Sequence, residues 1–315
     1  MARATAELSI HLCNFSGDER PDWSEMLAFA RGADAAGVDR LQVSDHVVYG
    51  EALEEYSRPE IGGTAGGKQP TGPDGNWLDP LTTITFVAGM TKQIRFRTQI
   101  LLAALRRPVV LAKMAATLDS LSGGRLDLGV GVGWQRAEYD AAGLPFDGRG
   151  KLLEHTLDVC LTLWREKRAS FNSPELTFEA IHQCPKPLRP EGIPIWISGT
   201  LRGSTVSRLA KYGPRWIPWG VDAANLKESL PRLKDALAKA GGDTANLQVN
   251  GSVPFIKGAD GGLDVARSME AVRELYEIGV TDFALPWYAR SKDAAQAEAG
   301  LRPVVAAFRS AVGRS

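Results

Sequence analysis

The chain has 315 residues, of which 44% are hydrophobic, so it can bury a large core and is neither disordered nor fibrous. Its 37 Lys and Arg residues balance its 37 Asp and Glu residues, and this zero net charge argues against nucleic acid or an anionic membrane as the partner. Its three widely spaced cysteines match neither a disulfide framework nor a zinc site. Residues 1–7 lack the apolar core of a signal peptide, and no apolar stretch is long enough to span a membrane. We therefore expect a globular protein of the cytoplasm.

Strand and helix patterns alternate from one end of the chain to the other. The predicted strands are Ala6–Cys13, Arg40–Val43, Ile94–Leu101, Leu126–Val130, Pro194–Ser198, Arg215–Pro218, Gln248–Phe255 and Asp282–Pro286. Asp22 and Glu25 hold the positions of a capping box before the first helix, Gly37 is placed to end it, and Pro108 suits the first turn of a later one. Eight strands that alternate with helices predict an α/β protein, a (β/α)8 TIM barrel that forms one domain over residues 1–315.

Two insertions interrupt this alternation. Residues 50–76 are rich in glycine and contain three prolines, which is typical of a disordered loop or of a lid over a site. Residues 170–192 are rich in proline, and we predict that they are irregular. The competing architecture, an open doubly wound sheet, usually places a Gly-rich phosphate-binding turn after the first strand. The segment Asn14–Asp18 at that place is not such a turn, which favours the barrel.

In a barrel of this kind, functional residues lie at the carboxyl ends of the strands. The second strand ends in Ser44, Asp45 and His46. A histidine at the mouth of the barrel can give or take a proton near neutral pH. The alternative is that Asp45 caps a turn while His46 is a packing residue.

Glycines and hydroxyl side chains lie at the carboxyl ends of the fourth and fifth strands, which are two further candidate positions for a site. The fourth strand ends in Gly129–Trp134, where alternating glycines allow close approach of a flat ring or a phosphate, although the spacing is not that of a P-loop. The fifth ends in Ser198, Gly199 and Thr200 just before a helix, where hydroxyls and free N–H groups suit an anion or merely cap the helix. Lys186 adds a positive charge on the preceding segment.

Other site chemistries find no support in the sequence. The sixth strand ends in Trp216–Trp219, and its two tryptophans either wall an aromatic pocket or pack inside the barrel. The four histidines are not spaced as metal ligands, and there is no Gly-x-Ser-x-Gly elbow of a hydrolase. We therefore predict no metal site.

Four segments together resemble the bacterial luciferase-like superfamily of flavin and deazaflavin oxidoreductases. They are Gly37–His46, Arg95–Lys113, Leu118–Trp134 with Glu138, and Pro185–Gly199. Within the superfamily, the chain looks most like the branch that depends on coenzyme F-420. The resemblance implies a luciferase-like TIM barrel, a flat tricyclic cofactor at its carboxyl-end mouth, and hydride transfer at that cofactor.

The resemblance also assigns residues by position. His46 matches a catalytic histidine of deazaflavin-dependent dehydrogenases, and Asp45 matches a neighbour that contacts the ring. The cofactor-binding residues that it implies are Asp45, Gln99, Ile100, Gly131, Gly133, Trp134, Glu138, Ser198, Gly199 and Thr200. It further implies a non-prolyl cis peptide between Gln99 and Ile100, and a cofactor phosphate near Ser198–Thr200.

The chain departs from the resemblance at two places. Arg97 and Gln99 stand in the third strand where small residues are usual, and Trp134 occupies the region of a glutamate of those dehydrogenases. Because that glutamate is missing, sugar-phosphate oxidation is not expected and the substrate can be quite different.

We expect an oxidoreductase that transfers a hydride between coenzyme F-420 and a small organic substrate. The anionic tail of that cofactor favours cationic residues beyond the phosphate, and Lys186, Arg202 and Arg208 lie near the phosphate segment in sequence. One alternative is a monooxygenase that uses reduced FMN and O2. Another is a cofactor-binding barrel without catalysis, since a barrel fold alone does not fix function. The expected partner is a small-molecule substrate, and a homodimer is left open.

Overall fold

A computed structural model of the chain describes residues 5–259, 262–286 and 292–314. Residues 1–4, part of the segment considered as a signal peptide, lie outside this description. The strands are β1 (Glu7–His11), β2 (Phe15–Ser16), β3 (Arg40–Val43), β4 (Asn76–Trp77), β5 (Arg95–Thr98), β6 (Leu126–Val130), β7 (Ala169–Asn172), β8 (Thr177–Ile181), β9 (Ile195–Gly199), β10 (Arg215–Pro218), β11 (Gln248–Ser252) and β12 (Asp282–Leu285). Eight of them close into a barrel in the order β1-β12-β11-β10-β9-β6-β5-β3, and all neighbours in it are parallel. The predicted (β/α)8 TIM barrel is therefore confirmed.

Helices follow the barrel strands around the outside. They are α1 (Ser24–Ala36), α2 (Pro80–Ala88), α3 (Pro108–Ser122), α4 (Arg136–Ala141), α5 (Arg149–Arg165), α6 (Gly203–Tyr212), α7 (Val221–Ala224), α8 (Leu226–Lys239), α9 (Val265–Ile278) and α10 (Ala294–Ala311). The apolar core lies between these helices and the barrel, and β3 and β6 are buried along their whole length. In the part of the chain that the structure describes, no helix combines the length and the apolar character that a membrane span requires.

The barrel interior holds a network of buried charges rather than aliphatic layers alone. The guanidinium of Arg40 pairs with Asp282 and lies 3.0 Å from Asp127, and Arg97 donates to Asp282 at 2.9 Å. Arg97 also stacks over the Trp196 ring at 4.2 Å. Although burial opposes ionisation, Arg97 and Arg40 hold the pKa of Asp282 below its usual range. The unusual Arg97 of the third strand is thus a barrel-interior residue whose charge is compensated.

Helix ends agree with the sequence in part. Gly37 ends α1 in the left-handed conformation with φ 83°, and Pro108 begins α3, both as predicted. The predicted capping box is wrong, because α1 begins at Ser24 after Trp23, which makes no side-chain cap. The Asp22 carboxylate instead accepts the Ser24 N–H two residues on, at 2.9 Å, in a local turn that precedes the helix.

The second insertion is more regular than predicted. Residues 170–192 were expected to be irregular, yet β7 and β8 pair there as an antiparallel hairpin. Ser173 organises the turn, because its hydroxyl oxygen accepts the N–H groups of Glu175 and Leu176. Pro174 lies within this turn and the other prolines of the segment follow β8, so none of them interrupts the pairing.

Three barrel strands, β1, β5 and β11, are each shorter than predicted by at least three residues. β5 ends at Thr98 because the chain then departs from regular pairing, with the predicted cis peptide bond between Gln99 and Ile100. Leu101 still bridges Val130 in parallel, so the chain rejoins the sheet after this break. β11 ends at Ser252 rather than at Phe255.

The strand order places two strand ends on opposite sides of the barrel mouth. Three strands separate β1 from β9 in one direction around the barrel, and three separate them in the other. Residues that follow β1 therefore face residues that follow β9 across the mouth.

Candidate active site

A cavity of about 410 Å³ opens at the carboxyl ends of the barrel strands, a size typical of small-molecule sites. It is lined by segments that follow β1, β3, β5, β6, β9 and β10 and by the insertion at residues 50–76. Nearly all of the predicted site residues meet there. Those that line the cavity are Asp45, His46, Gln99, Ile100, Gly131, Gly133, Trp134, Ser198, Gly199 and Thr200.

Asp45 and His46, which follow β3, have different tasks. The Asp45 carboxylate accepts the Leu102 N–H at 2.8 Å and pairs with Arg106 at 2.6 Å, so it fixes the chain after β5. The His46 ring borders the cavity and meets the Trp77 ring edge-on, with centroids 4.8 Å apart. Asp45 therefore acts as a structural cap as well as a wall residue, whereas His46 is available to a ligand.

Glu138 is the one predicted site residue that stands behind the wall. Its side chain is 1% exposed, its Oε1 accepts the Val47 N–H at 2.9 Å, and the same oxygen lies 3.2 Å from His46 Nδ1. Its predicted contact with the cofactor does not fit this placement, because the His46 ring stands between the carboxylate and the cavity.

The floor of the cavity is backbone and small side chains. A Cβ on Gly131, just after β6, would lie 2.6 Å from Ile100 Cδ1, so any other residue would make the Ile100 side chain move. The Ser44 hydroxyl donates to the Gln99 carbonyl at 3.3 Å. The Gln99 side chain turns inward instead, to Arg97 and Asn250. The floor is thus joined to the charge network of the barrel interior.

We call one side of the mouth the cationic end; it comprises Ser198–Arg202 with Ser204, Thr205 and Arg208. It includes the start of α6, where free N–H groups favour an anion. The loop is held from below, because buried Asp222 accepts the Leu201 N–H at 2.7 Å. Arg208 pairs with Glu154 at 2.9 Å, while no hydrogen bond or ion pair of the Arg202 side chain is found within the described ranges. This end has the donors and the charge that a phosphate requires.

Lys186 is not part of this end, contrary to the expectation from sequence. Its Nζ donates to the carbonyls of Leu163 and Glu166 at 2.5 and 2.6 Å, where α5 ends. The reason is topological: Lys186 precedes β9, so it lies at the amino end of that strand, away from the mouth. A cation at the last carbonyls of a helix is favourable there.

The opposite side, which we call the aromatic end, comprises Phe15, Tyr49 and Trp77, and it lies next to His46. The short strands β2 and β4 pair there, and the Phe15 and Trp77 rings stack with centroids 4.5 Å apart. His11 lies at the base of this end, with Nε2 2.7 Å from the Ser44 hydroxyl, and burial lowers the pKa of His11 to about 4. Sequence reasoning missed Phe15 and Trp77; the position of Phe15 just after the first strand was the only signal.

The insertion at residues 50–76, which we call the lid, is ordered over the cavity. The Trp219 indole N–H donates to the carbonyls of Gly62 and Gly63 at 3.1 and 3.0 Å, and Arg149 donates to Ile61 at 2.7 Å. Gly62 has φ 105°, which favours glycine. Of the two readings of this segment, the structure supports the lid.

The two tryptophans at the end of β10, Trp216 and Trp219, have different surroundings, and each of them fits one of the two roles considered from the sequence. Trp219 lines the cavity, and its ring lies beside that of Tyr56, with the ring centroids 6.1 Å apart. Trp216 is fully buried, and its indole N–H donates to the Gly199 carbonyl at 2.9 Å. One therefore walls the pocket, and the other packs within the barrel while it holds the cationic end in place.

The cavity fits a flat cofactor with a phosphate. The Trp134 indole N–H is buried in the wall without a hydrogen-bond partner, which is costly unless a ligand supplies an acceptor. Gly131 and Gly133, just after β6, leave space for a ring because they carry no side chain. The cationic end supplies hydrogen-bond donors for a phosphate. Over the ranges that the structure describes, no three His, Cys, Asp or Glu residues are grouped as metal ligands.

Comparisons with known proteins agree with this architecture. The family model of the luciferase-like monooxygenases matches residues 8–308. An uncharacterized protein of Mycobacterium tuberculosis is 30% identical over 220 residues, 70% of this chain and 73% of that protein. This TIM barrel with a cofactor-sized cavity at its mouth belongs to the luciferase-like monooxygenase family, a group of oxidoreductases and monooxygenases.

Two solved structures share the fold at low sequence identity. An F420-dependent secondary alcohol dehydrogenase, solved with an F420–acetone adduct, superimposes with a TM-score of 0.72 at 16% identity, over 97% of this chain and 99% of that chain. A type II Baeyer-Villiger monooxygenase of Pseudomonas putida, solved with FMN, gives a TM-score of 0.66 at 15% identity, over 90% of this chain and 92% of that chain. Proteins with this fold thus use either a deazaflavin or a flavin.

Proposed function

We propose that this protein is an oxidoreductase that transfers a hydride between coenzyme F-420 and a small organic substrate. The observation that carries the proposal is the arrangement of one cavity, in which His46 stands between a cationic end and an aromatic end. The first suits an anionic cofactor, the second an apolar substrate, and His46 supplies proton transfer where they meet.

The cofactor would be held by the floor and the cationic end. Ser198 and Thr200, with the N–H groups at the start of α6, would bind its phosphate, and Gly131 leaves room for its ring. The unpartnered indole N–H of Trp134 offers a donor to a ring acceptor. When bound, a deazaflavin supplies a ring carbon that accepts or donates a hydride and reacts slowly with oxygen.

The preference for the deazaflavin over FMN rests on charge beyond the phosphate. Coenzyme F-420 carries an anionic lactyl-glutamyl tail, which FMN lacks. Arg202 is exposed and lines the cavity at this end, and Arg208 lies nearly two turns further along α6 and also lines it. A carboxylate tail that leaves the phosphate site would meet these guanidinium groups.

His46 would move the proton that accompanies the hydride. In the oxidation of a secondary alcohol, the carbon-bound hydrogen leaves as hydride and the hydroxyl proton passes to His46, giving a ketone; reduction runs the same steps backward. A positioned histidine contributes about 10²- to 10⁴-fold to such reactions. Among the residues of the wall, His46 is the one whose ring touches both Trp77 and Trp134.

The substrate would bind against the aromatic end. Phe15 and Trp77 offer flat apolar faces beside His46, and the neutral His11 adds no charge there at neutral pH. Such a surface favours neutral molecules with an aromatic or alicyclic group over charged sugar phosphates. This agrees with the absence of a glutamate at Trp134.

A second candidate is an FMN-dependent monooxygenase. The cationic end would hold the phosphate of FMN equally well, and Glu60, which also lines the cavity, is an unfavourable neighbour for an anionic tail. The shared fold with an FMN-binding monooxygenase adds weight to this candidate.

The test is turnover with both cofactors under matched conditions. Purified protein would be assayed without oxygen for reduction of acetophenone and of 2-butanone by reduced coenzyme F-420, and for the reverse oxidation of 1-phenylethanol. Reduced FMN with oxygen would be tested on acetophenone in parallel. The proposal expects turnover with the deazaflavin, faster for the aromatic ketone; oxygenated product with FMN and no deazaflavin turnover would refute it.

A further inference from the structure

We infer that Glu138 is a positioning residue, which holds the His46 imidazole with its proton on Nδ1 so that Nε2 is left to meet the substrate. The inference deepens the proposed function and rests on it for the chemistry, but the geometry that carries it is independent of the cofactor. Neither the resemblance nor the sequence pattern assigned this task to Glu138.

The first observation is a buried carboxylate with little to neutralise it. Glu138 is 1% exposed, and in the described part of the chain its one ion-pair contact is His46. Oε1 accepts the Val47 N–H, while Oε2 has no hydrogen-bond partner. Buried carboxylates are costly unless they are paired and hydrogen-bonded. Packing alone therefore does not account for a glutamate at this place.

The titratable neighbours of Glu138 point to His46 as its functional partner. Burial, and after it the Glu138 charge, raises the pKa of Tyr49 well above its usual range. Burial also raises the pKa of Tyr139, on the same short helix α4. Both phenols therefore stay neutral and carry no positive charge that could balance the carboxylate. Arg149, whose charge acts on Tyr139, donates hydrogen bonds to the carbonyls of Ile61 and Gly133.

The second observation is the orientation of the His46 ring. Nδ1 is buried and lies 3.2 Å from Glu138 Oε1, off line for a full hydrogen bond, as catalytic contacts commonly are before substrate binds. The ring also packs against the rings of Tyr49 and Trp77, with centroid distances of 4.3 and 4.8 Å. Since the two nitrogens lie on different edges of the ring, Nε2 is directed away from Glu138, toward the cavity that His46 lines.

The two observations together define a tautomer. An ionised carboxylate only accepts hydrogen bonds, so it selects the imidazole that carries its proton on Nδ1. Nε2 is then unprotonated and can take a hydroxyl proton from an alcohol substrate. After that transfer, the carboxylate stabilises the imidazolium. Glu138 thus acts on the substrate only through His46.

The tautomer can be measured on the protein without cofactor. Long-range ¹H–¹⁵N spectra of protein labelled at its four histidines report which ring nitrogen of each carries the proton. The loss of one signal set in His46→Gln assigns His46. We expect Nδ1–H in the native chain, and a shift toward Nε2–H in Glu138→Leu. An unchanged His46 tautomer in Glu138→Leu would overturn the inference.

A matched control separates this effect from the general cost of losing a buried carboxylate. Asp119 is also 1% exposed and accepts a backbone N–H, from Leu188, but no hydrogen bond or ion pair joins it to His46 among the described residues. Asp119→Asn should leave the His46 signals where they are. If it shifts them as much as Glu138→Leu does, the His46 tautomer is not specific to Glu138 and the inference fails.

The catalytic arm uses the loaded enzyme and a double-mutant cycle. Glu138→Gln keeps the shape and the Val47 contact but loses the charge, so kcat should fall about tenfold or more, with KM and cofactor affinity within about threefold. In the His46→Gln background the same change should have little further effect, because Glu138 acts through His46. Additive losses would contradict the inference. If neither cofactor gives turnover, the proposed function fails, and the tautomer measurement still decides the role of Glu138.

Discussion

The cationic end and the aromatic end of the cavity are built in different ways. The first is made by a strand-to-helix connection between β9 and α6, and buried Asp222 and Trp216 brace it through backbone hydrogen bonds. The second is assembled from segments far apart in sequence, in which Phe15 meets Trp77 through two-residue strands and the lid closes above.

This difference teaches where the fold fixes function and where it leaves it open. A site on short connections of the barrel is held rigidly, which suits a cofactor whose phosphate must be placed the same way each time. A site on long insertions can change without disturbing the barrel, which suits the choice of substrate. We therefore expect substitutions at the cationic end to affect cofactor affinity and those at the aromatic end to affect KM, with His46 affecting kcat.

The largest effect should come from the residue between the two ends. His46→Ala removes the proton acceptor, so kcat for acetophenone reduction should fall about 10²- to 10⁴-fold, while the cofactor dissociation constant stays within about threefold. Steady-state kinetics and fluorescence titration measure the two quantities. His182→Ala, at an exposed histidine, is the control. A His46→Ala enzyme with native kcat would show that His46 does not transfer the proton.

At the cationic end, Gly199→Val should weaken cofactor binding about a hundredfold or more. Gly199 has φ 152°, and a Cβ there would lie 3.1 Å from Thr205 Oγ1, so a branched side chain displaces the loop. The dissociation constant is read from tryptophan quenching. Gly203→Ala, four residues on and with open space at its Cβ, should bind normally. Equal affinity in both variants would place the phosphate elsewhere.

At the base of the aromatic end, His11 should make stability depend on pH. Its pKa is about 4 in the folded protein and 6.5 in its unperturbed state, so the unfolded chain takes up the proton first. This contribution to stability is complete above pH 6.5 and is lost as the pH falls toward 4, by about 3 kcal/mol. Urea unfolding of the native chain and of His11→Gln from pH 7 to 4.5 measures this term. His182→Gln should retain the native pH dependence; if His11→Gln retains it too, His11 is not the cause.

The smallest effect is expected on the substrate side. Trp77→Leu removes a flat face beside His46, so KM for acetophenone should rise about tenfold, with kcat and cofactor affinity nearly unchanged. KM for 2-butanone should change less. Trp23→Leu makes the same substitution at the start of α1, outside the cavity wall, and should leave both KM values unaltered. A loss of cofactor affinity in Trp77→Leu would show that the two ends are not separate.

The sequence predicted the barrel and most of the wall because both follow from local pattern. Each barrel strand has a recognisable run of buried residues, and strand ends in a parallel barrel necessarily meet at one mouth, which brings His46, Gly131 and Ser198 together. The cis peptide bond between Gln99 and Ile100 was predicted from the resemblance alone, since nothing in the residue pattern there requires it.

Other features depend on contacts that no local pattern contains. Phe15 and Trp77 are far apart in sequence and come into contact only when the chain folds, so the sequence did not predict that they form one side of the cavity. Lys186 was misplaced because closeness in sequence to β9 does not say at which end of that strand a residue lies. Glu138 was assigned to the cofactor from the resemblance, whereas in the structure the short helix α4 places its carboxylate beside His46 Nδ1 and outside the cavity lining.

The most direct test of the account is the affinity of the purified apo-protein for each cofactor. Titration with coenzyme F-420 and with FMN can be followed by quenching of the eight tryptophans, of which Trp77, Trp134 and Trp219 line the cavity. The account predicts tight binding of coenzyme F-420, at least about tenfold stronger than that of FMN, with a salt dependence that reflects the anionic tail. Tight binding of FMN with none of coenzyme F-420 would contradict it.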